Sequence, residues 1–128
     1  MEARSDSSHP RVVIRPLCRE DLAAVQRIHR RAYPNLEPWD AKHLNSQLEM
    51  FADGQLCVEI DGKVVATSSS LIVDLDDLPV PHTYEDVCGG GFIRNHNPDG
   101  DTLYGIDIAV DPDFRGQRHA RRLYDARK

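Results

Sequence analysis

Hydrophobic and polar positions along this chain follow two periods, and the switches between them mark out its elements. Arg11-Val12-Val13-Ile14-Arg15 reads as a short strand closed by Pro16. Glu20 and Asp21 then favour a helix start, because they place negative charge at the positive end of the helix dipole. Leu22, Val25, Ile28, His29 and Ala32 recur near helical spacing, which predicts an amphipathic helix to about Tyr33. Pro34 and Pro38 break it. Asp40 is suited to cap a second helix running through Phe51, with Leu44, Leu48 and Phe51 on one face.

Asp53-Gly54 turns the chain. Residues 56–60 and 63–73 read as strands joined by Asp61-Gly62, a dipeptide that tolerates the positive φ of a tight hairpin turn. Residues 74–101 are acidic, contain Pro and Gly, and show no period, so they read as a long loop of the functional or mobile kind. Residues 103–110, LYGIDIAV, read as a buried strand, Asp111-Pro112-Asp113-Phe114 turns the chain, and a basic helix follows from about residue 117. The order β-α-α-β-β-loop-β-α excludes a helix bundle or a β-sandwich. It predicts an α/β fold, a mixed sheet with helices on its faces. Residues 1–10, MEARSDSSHP, read as a disordered tail, which leaves residues 11–128 as one domain.

Composition adds little: 128 residues, 40% hydrophobic and 29% charged, describe one ordinary globular domain. Charge adds more. The net −5 divides into +5 over residues 114–128 and −10 over residues 1–113. Positive charge gathers at the last helix, while the remainder repels nucleic acid, so nucleic-acid binding through Arg115, Arg118, Arg121 and Arg122 is the weaker expectation. Three scattered cysteines, Cys18, Cys57 and Cys88, argue against a disulfide framework and for a reducing compartment. With no apolar leader and no apolar run of about 20 residues, the expectation is a cytoplasmic protein without a membrane partner.

Candidate chemistry collects in the last quarter. Strand, tight loop and basic helix start aim backbone N–H groups and a helix dipole at one point, so Arg115-Gly116-Gln117-Arg118-His119-Ala120 reads as a phosphate or pyrophosphate site. A solvated basic helix start is the plainer alternative. Asp107 is a carboxylate inside an otherwise apolar strand, IDIAV. Burial raises a carboxyl's affinity for protons and suits it to work as a general base, whereas a structural Asp would pair with an arginine or a cap. Glu59 alternates with Val58 and Ile60 and is expected on the solvent face of the hairpin, a weak second carboxylate. Tyr104 and Tyr124 are hydroxyl candidates, with Tyr124 expected in the core on the Ala120-Leu123-Tyr124 stripe. His82 and His96, among Asp74, Asp76, Asp77 and Asp86, fit no metal-ligand spacing, so no metal is expected. The acidic segment is suited to face a cationic amine. Cys88, followed by Gly89-Gly90-Gly91, has no base nearby in sequence and is not read as a nucleophile.

The order of elements and this final loop resemble the GNAT superfamily of acetyl-CoA-dependent N-acetyltransferases. Its signature is Arg/Gln-x-x-Gly-x-Gly/Ala, and Arg115 and Ala120 match its ends. Asp111-Pro112 and Phe114 resemble its lead-in, Ile14-Arg15-Pro16 with Glu20-Asp21-Leu22 its first strand and helix, and residues 58–66 its hairpin. Arg118 replaces the central glycine, and an arginine there either narrows the approach to the pyrophosphate or adds a guanidinium to it. RRLYDARK, EPWDAKHLNSQLEMFADGQ and DGDTLYG resemble the GNAT domain at the front of bacterial proteins that continue into a carbon–nitrogen hydrolase domain.

The resemblance implies a GNAT acyl-CoA N-acyltransferase fold, ending here after the family's third helix begins. It implies that residues 115–120 bind acetyl-CoA, that Ile108, Ala109 and Val110 run beside its pantetheine arm, and that Asp107 deprotonates a primary amine which attacks the thioester directly. The family's acid tyrosine lies in a helix beyond this sequence, so no general acid is expected here. The rival expectation is a non-catalytic CoA-binding regulatory module joined to a downstream enzyme.

Overall fold

A computed structural model describes residues 11–127. The expected tail at 1–10 lies outside the described residues. Element order is β1 (Val12–Pro16), α1 (Leu22–Ala32), α2 (Ala41–Phe51), β2 (Leu56–Ile60), β3 (Lys63–Val73), α3 (Tyr84–Cys88), β4 (Thr102–Val110) and α4 (His119–Arg127). The strands form one sheet in the order β1-β2-β3-β4, each neighbour antiparallel. Among the described residues β4 is therefore an edge.

Period-2 alternation assigns the faces. Cys57 on β2 points to one side, where Val25 and Ile28 of α1 pack with Val64 and Ala109. Its neighbours Leu56 and Val58 point to the other side, where Leu123 of α4 inserts between them and Val65 and Ala66. The sheet is thus sandwiched between α1 and α4. Arg15 fastens the start of α1 to the hairpin: its guanidinium donates to Asp21 at 2.8 and 3.0 Å and to Glu59 at 3.2 Å. Glu59 is half-buried in that pair and not on a solvent face.

Residues 74–101 are more structured than a long loop. Thr83 caps α3, its hydroxyl accepting from the Asp86 N–H at 3.1 Å while the Asp86 carboxylate accepts from the Thr83 N–H at 2.9 Å. Gly89, with φ 58°, ends the helix in the left-handed region. Val87, Cys88 and Ile93 then bury themselves against Leu71 and Val73 of β3, forming a third core cluster. The Thr-x-x-Asp spacing was the sequence signal for this turn of helix. A second correction concerns Tyr124, which is 54% exposed. The helix begins at His119, and buried His119 and Leu123, one turn apart, occupy the inward stripe that Tyr124 was expected to share.

Candidate active site

The turn after β4 is held from two directions. Arg31 of α1 donates to the fully buried Asp111 carboxylate at 2.6 Å and to Asp113 at 3.1 Å. Asp111 in turn accepts from the Asp113 N–H at 3.0 Å, closing the bend. Beyond it, Gly116 (φ 83°) and Arg118 (φ 66°) both take the left-handed conformation. The backbone at the family's central glycine position thus keeps the shape that glycine favours, although an arginine carries it.

Inside this loop the side chains of Gln117 and His119 face each other. Arg122, which can only donate, contacts His119 Nδ1 at 2.8 Å, so that nitrogen accepts and Nε2–H donates to Gln117 Oε1 at 3.1 Å. Burial, and then the charge of Arg122, hold the His119 pKa below the ordinary imidazole value. His119 is a neutral brace for the loop. Arg122 also donates to the Gln117 carbonyl at 2.7 Å.

Asp107 sits beside an irregularity of the sheet. Ser69 pairs with Asp107 and Ser70 with Gly105, so Ile106 is an extra residue on β4. Such a bulge re-aims the side chains next to it. The Asp107 carboxylate meets His29 of α1, Nε2 to Oδ2 at 2.9 Å, with the His29 side chain 9% and the Asp107 side chain 19% exposed. Trp39 and the His29 ring meet edge to face, with centroids 5.2 Å apart.

Two cavities open along the outer side of β4. One, of about 490 Å³, is lined by Ile108, Val110, Arg115, Gly116, Arg118 and Ala120, with His119 also on its wall. The other, of about 540 Å³, contains His29 and Asp107. Tyr33 lines both. Its hydroxyl donates to the Ile108 carbonyl at 2.5 Å, and burial followed by the charge of Asp107 raises its pKa, keeping it a donor.

The model of the Acetyltransferase (GNAT) family matches residues 22–127, the span that holds both cavities and the loop between β4 and α4. The chain belongs to this family. The probable hydrolase YhcX of Bacillus subtilis (strain 168) is 39% identical over 118 residues, which are 92% of this chain and 23% of that protein. The uncharacterized N-acetyltransferase YkwB of the same organism is 31% identical over 108 residues, 81% of this chain and 48% of that protein. The chain thus spans less than a quarter of one relative and about half of the other. Among solved structures, the ribosomal-protein-S18-alanine N-acetyltransferase from Escherichia coli matches with a TM-score of 0.56 and 25% identity, over 90% of this chain and 56% of that one.

For a GNAT domain the placement of the expected residues is informative. Ile108, Val110, Arg115, Gly116, Arg118, His119 and Ala120 come together on one cavity. Ala109 is buried on the α1 side of β4, and Gln117 turns into the loop. Asp107 opens onto the neighbouring cavity. Tyr104 lies elsewhere, its hydroxyl 3.0 Å from His82. Cys88 is fully buried, its thiol pKa raised by that burial, which suits packing and not nucleophilic attack. Among the described residues no group of three or more His, Cys, Asp or Glu is arranged to hold a metal ion, and no helix is long and apolar enough to cross a membrane. His29, Tyr33 and Trp39 are the site residues that sequence reasoning missed. The available signal was a histidine on an otherwise apolar helical stripe.

Proposed function

We propose that this GNAT domain is an acetyl-CoA-dependent N-acetyltransferase that moves an acetyl group to a primary amine by direct attack. The observation that carries the reading is the shared wall: a cavity bounded by the Arg115–Ala120 loop adjoins, across Tyr33, a cavity that holds a half-buried carboxylate. The loop fits the cofactor. Gly116 would meet nothing within 4 Å if it carried a Cβ, so its backbone is approachable, and the first turn of α4 presents N–H groups beside Arg115 and Arg118.

Acetyl-CoA supplies an activated carbonyl, to which the amine nitrogen forms a C–N bond as the C–S bond breaks and the thiolate leaves. Asp107 takes the proton lost by the amine. Its bond to His29 fixes the carboxylate in place, and the Ile106 bulge turns it toward the cavity. Tyr33 separates the two binding spaces and orders the edge of β4. Holding both reactants side by side supplies most of the rate, and a positioned base adds about 10²–10⁴-fold.

We propose further that the domain works in a larger protein, joined to a carbon–nitrogen hydrolase domain. The likeness to YhcX, a probable hydrolase of which this chain spans 23%, supports that arrangement.

Asp107→Asn tests the transferase reading. Turnover with acetyl-CoA and an accepted amine is expected to fall at least a hundredfold, with CoA affinity by calorimetry within twofold of the parent. Unchanged turnover would remove Asp107 as the base. CoA binding without transfer to any amine would leave the domain a regulatory module.

A further inference from the structure

The cavity that holds Asp107 has a distinctive wall. Its apolar surface comes from Tyr33, Leu36, Pro38, Trp39, Tyr84 and Ile106. Among the described residues its acidic members are Glu37 and Asp107, its histidines are His29 and His43, and no lysine or arginine lines it. At about 540 Å³ it falls within the range of small-molecule pockets.

Trp39 is held firmly. Its indole abuts Gly91, where an added Cβ would lie 2.6 Å from Nε1, and its carbonyl accepts from the Gln26 side chain at 3.0 Å. His43 stacks beside it, with ring planes 22° apart. The result is an aromatic wall in a cavity that also holds the Glu37 and Asp107 carboxylates.

Charge and shape then point to one class of occupant. A flat apolar body is desolvated against Trp39, Tyr33 and Tyr84. An ammonium group finds the carboxylates of Glu37 and Asp107. A carboxylate or phosphate on the same molecule finds no lysine or arginine, meets His29 and His43 already paired with Asp107 and Asp40, and faces two like charges, which costs affinity. We propose that this cavity selects small primary amines built on an aromatic or flat apolar body and bearing no acidic group, arylalkylamines being the representative class. This specificity rests on the transferase reading for its chemistry, but not for its binding.

The test compares 2-phenylethylamine with phenylalanine, which adds a carboxylate, and with ethylamine, which lacks the ring. Trp39 is the only tryptophan in this sequence, so its emission reports occupancy, with Trp39→Phe as the control. Saturable quenching by 2-phenylethylamine is expected, with a Kd at least tenfold below those of the other two and at least threefold weakened by Glu37→Gln. Acetyl transfer is measured in parallel. Equal binding of phenylalanine or ethylamine, or a signal that survives Trp39→Phe, overturns the inference. Selective binding without transfer leaves the inference standing and removes the transferase reading. Transfer to another amine, with no binding of 2-phenylethylamine, does the reverse.

Discussion

His29 Nε2 and Asp107 Oδ2 stand 2.9 Å apart although 78 positions separate them in sequence. The contact ties the middle of α1 to the bulged stretch of β4, and it gives a buried histidine a partner. It also makes His29 a positioning residue for the proposed base.

That relationship predicts a split in kinetics. His29→Ala is expected to lower kcat about tenfold or more, as for a base left free to drift, with KM for the amine and CoA affinity within twofold. His29→Gln, which restores an N–H donor, is expected to recover a large part of the loss. Equal damage in both variants, or a loss confined to thermal stability, would reduce His29 to a packing role.

Tyr33 offers a second prediction. The Ile108 carbonyl, one of the backbone groups expected to run beside the pantetheine arm, is already occupied by the Tyr33 hydroxyl. A hydrogen bond of this kind contributes about 1 kcal/mol net, so Tyr33→Phe is expected to tighten CoA binding by up to about fivefold while lowering the melting temperature slightly. Weaker CoA binding in the variant would show that the hydroxyl supports the cofactor and does not compete with it.

The left-handed backbone at Arg118, φ 66°, gives a third. A residue with a Cβ in that conformation costs about 1–2 kcal/mol relative to glycine. Arg118→Gly is therefore expected to be more stable than Arg118→Ala by about 1 kcal/mol, or about 4 °C in melting temperature for a domain of this size. If the guanidinium contacts phosphate, both variants weaken CoA binding and flatten its salt dependence. If it obstructs, both strengthen it.

Acid sensitivity follows from Asp21. The Arg15 guanidinium, offset in part by burial, holds the Asp21 carboxyl at a pKa of about 2. In the unfolded chain such a group titrates near 4. The folded value is the lower one, so its contribution is complete above about pH 4 and is lost as the pH falls from there toward 2. Allowing for the partial exposure of Arg15, Asp21→Asn is expected to cost about 1–2 kcal/mol at pH 7 and to flatten the acid limb of a stability–pH curve. An unchanged limb would mean that other carboxylates govern acid unfolding.

Most of the fold was legible because its signals are local. The hairpin at Asp61-Gly62 and the helix capped by Asp40 depend on turn and cap chemistry within a few residues, and both formed where the pattern placed them. The tight turn at 115–120 was legible for the same reason. What escaped was long-range. Nothing within reach of Asp107 in sequence names His29 as its partner, because the bulge at Ile106 and the packing of α1 on the sheet decide which face the carboxylate takes. Tyr124 was misplaced because buried His119, a polar residue, fills an inward position that a hydrophobic stripe does not reveal.

Because Tyr33 is wall to both cavities, ligands that both displace its ring would exchange free energy through it. Any ligand that must shift the Tyr33 ring meets the cost of breaking its bond to Ile108, and a second ligand finds that cost already met. Linkage makes the exchange symmetrical: the factor by which a cofactor changes affinity for the amine is the factor by which the amine changes affinity for the cofactor. A single aromatic side chain at the end of α1 would thereby couple two neighbouring cavities with no movement of the sheet between them.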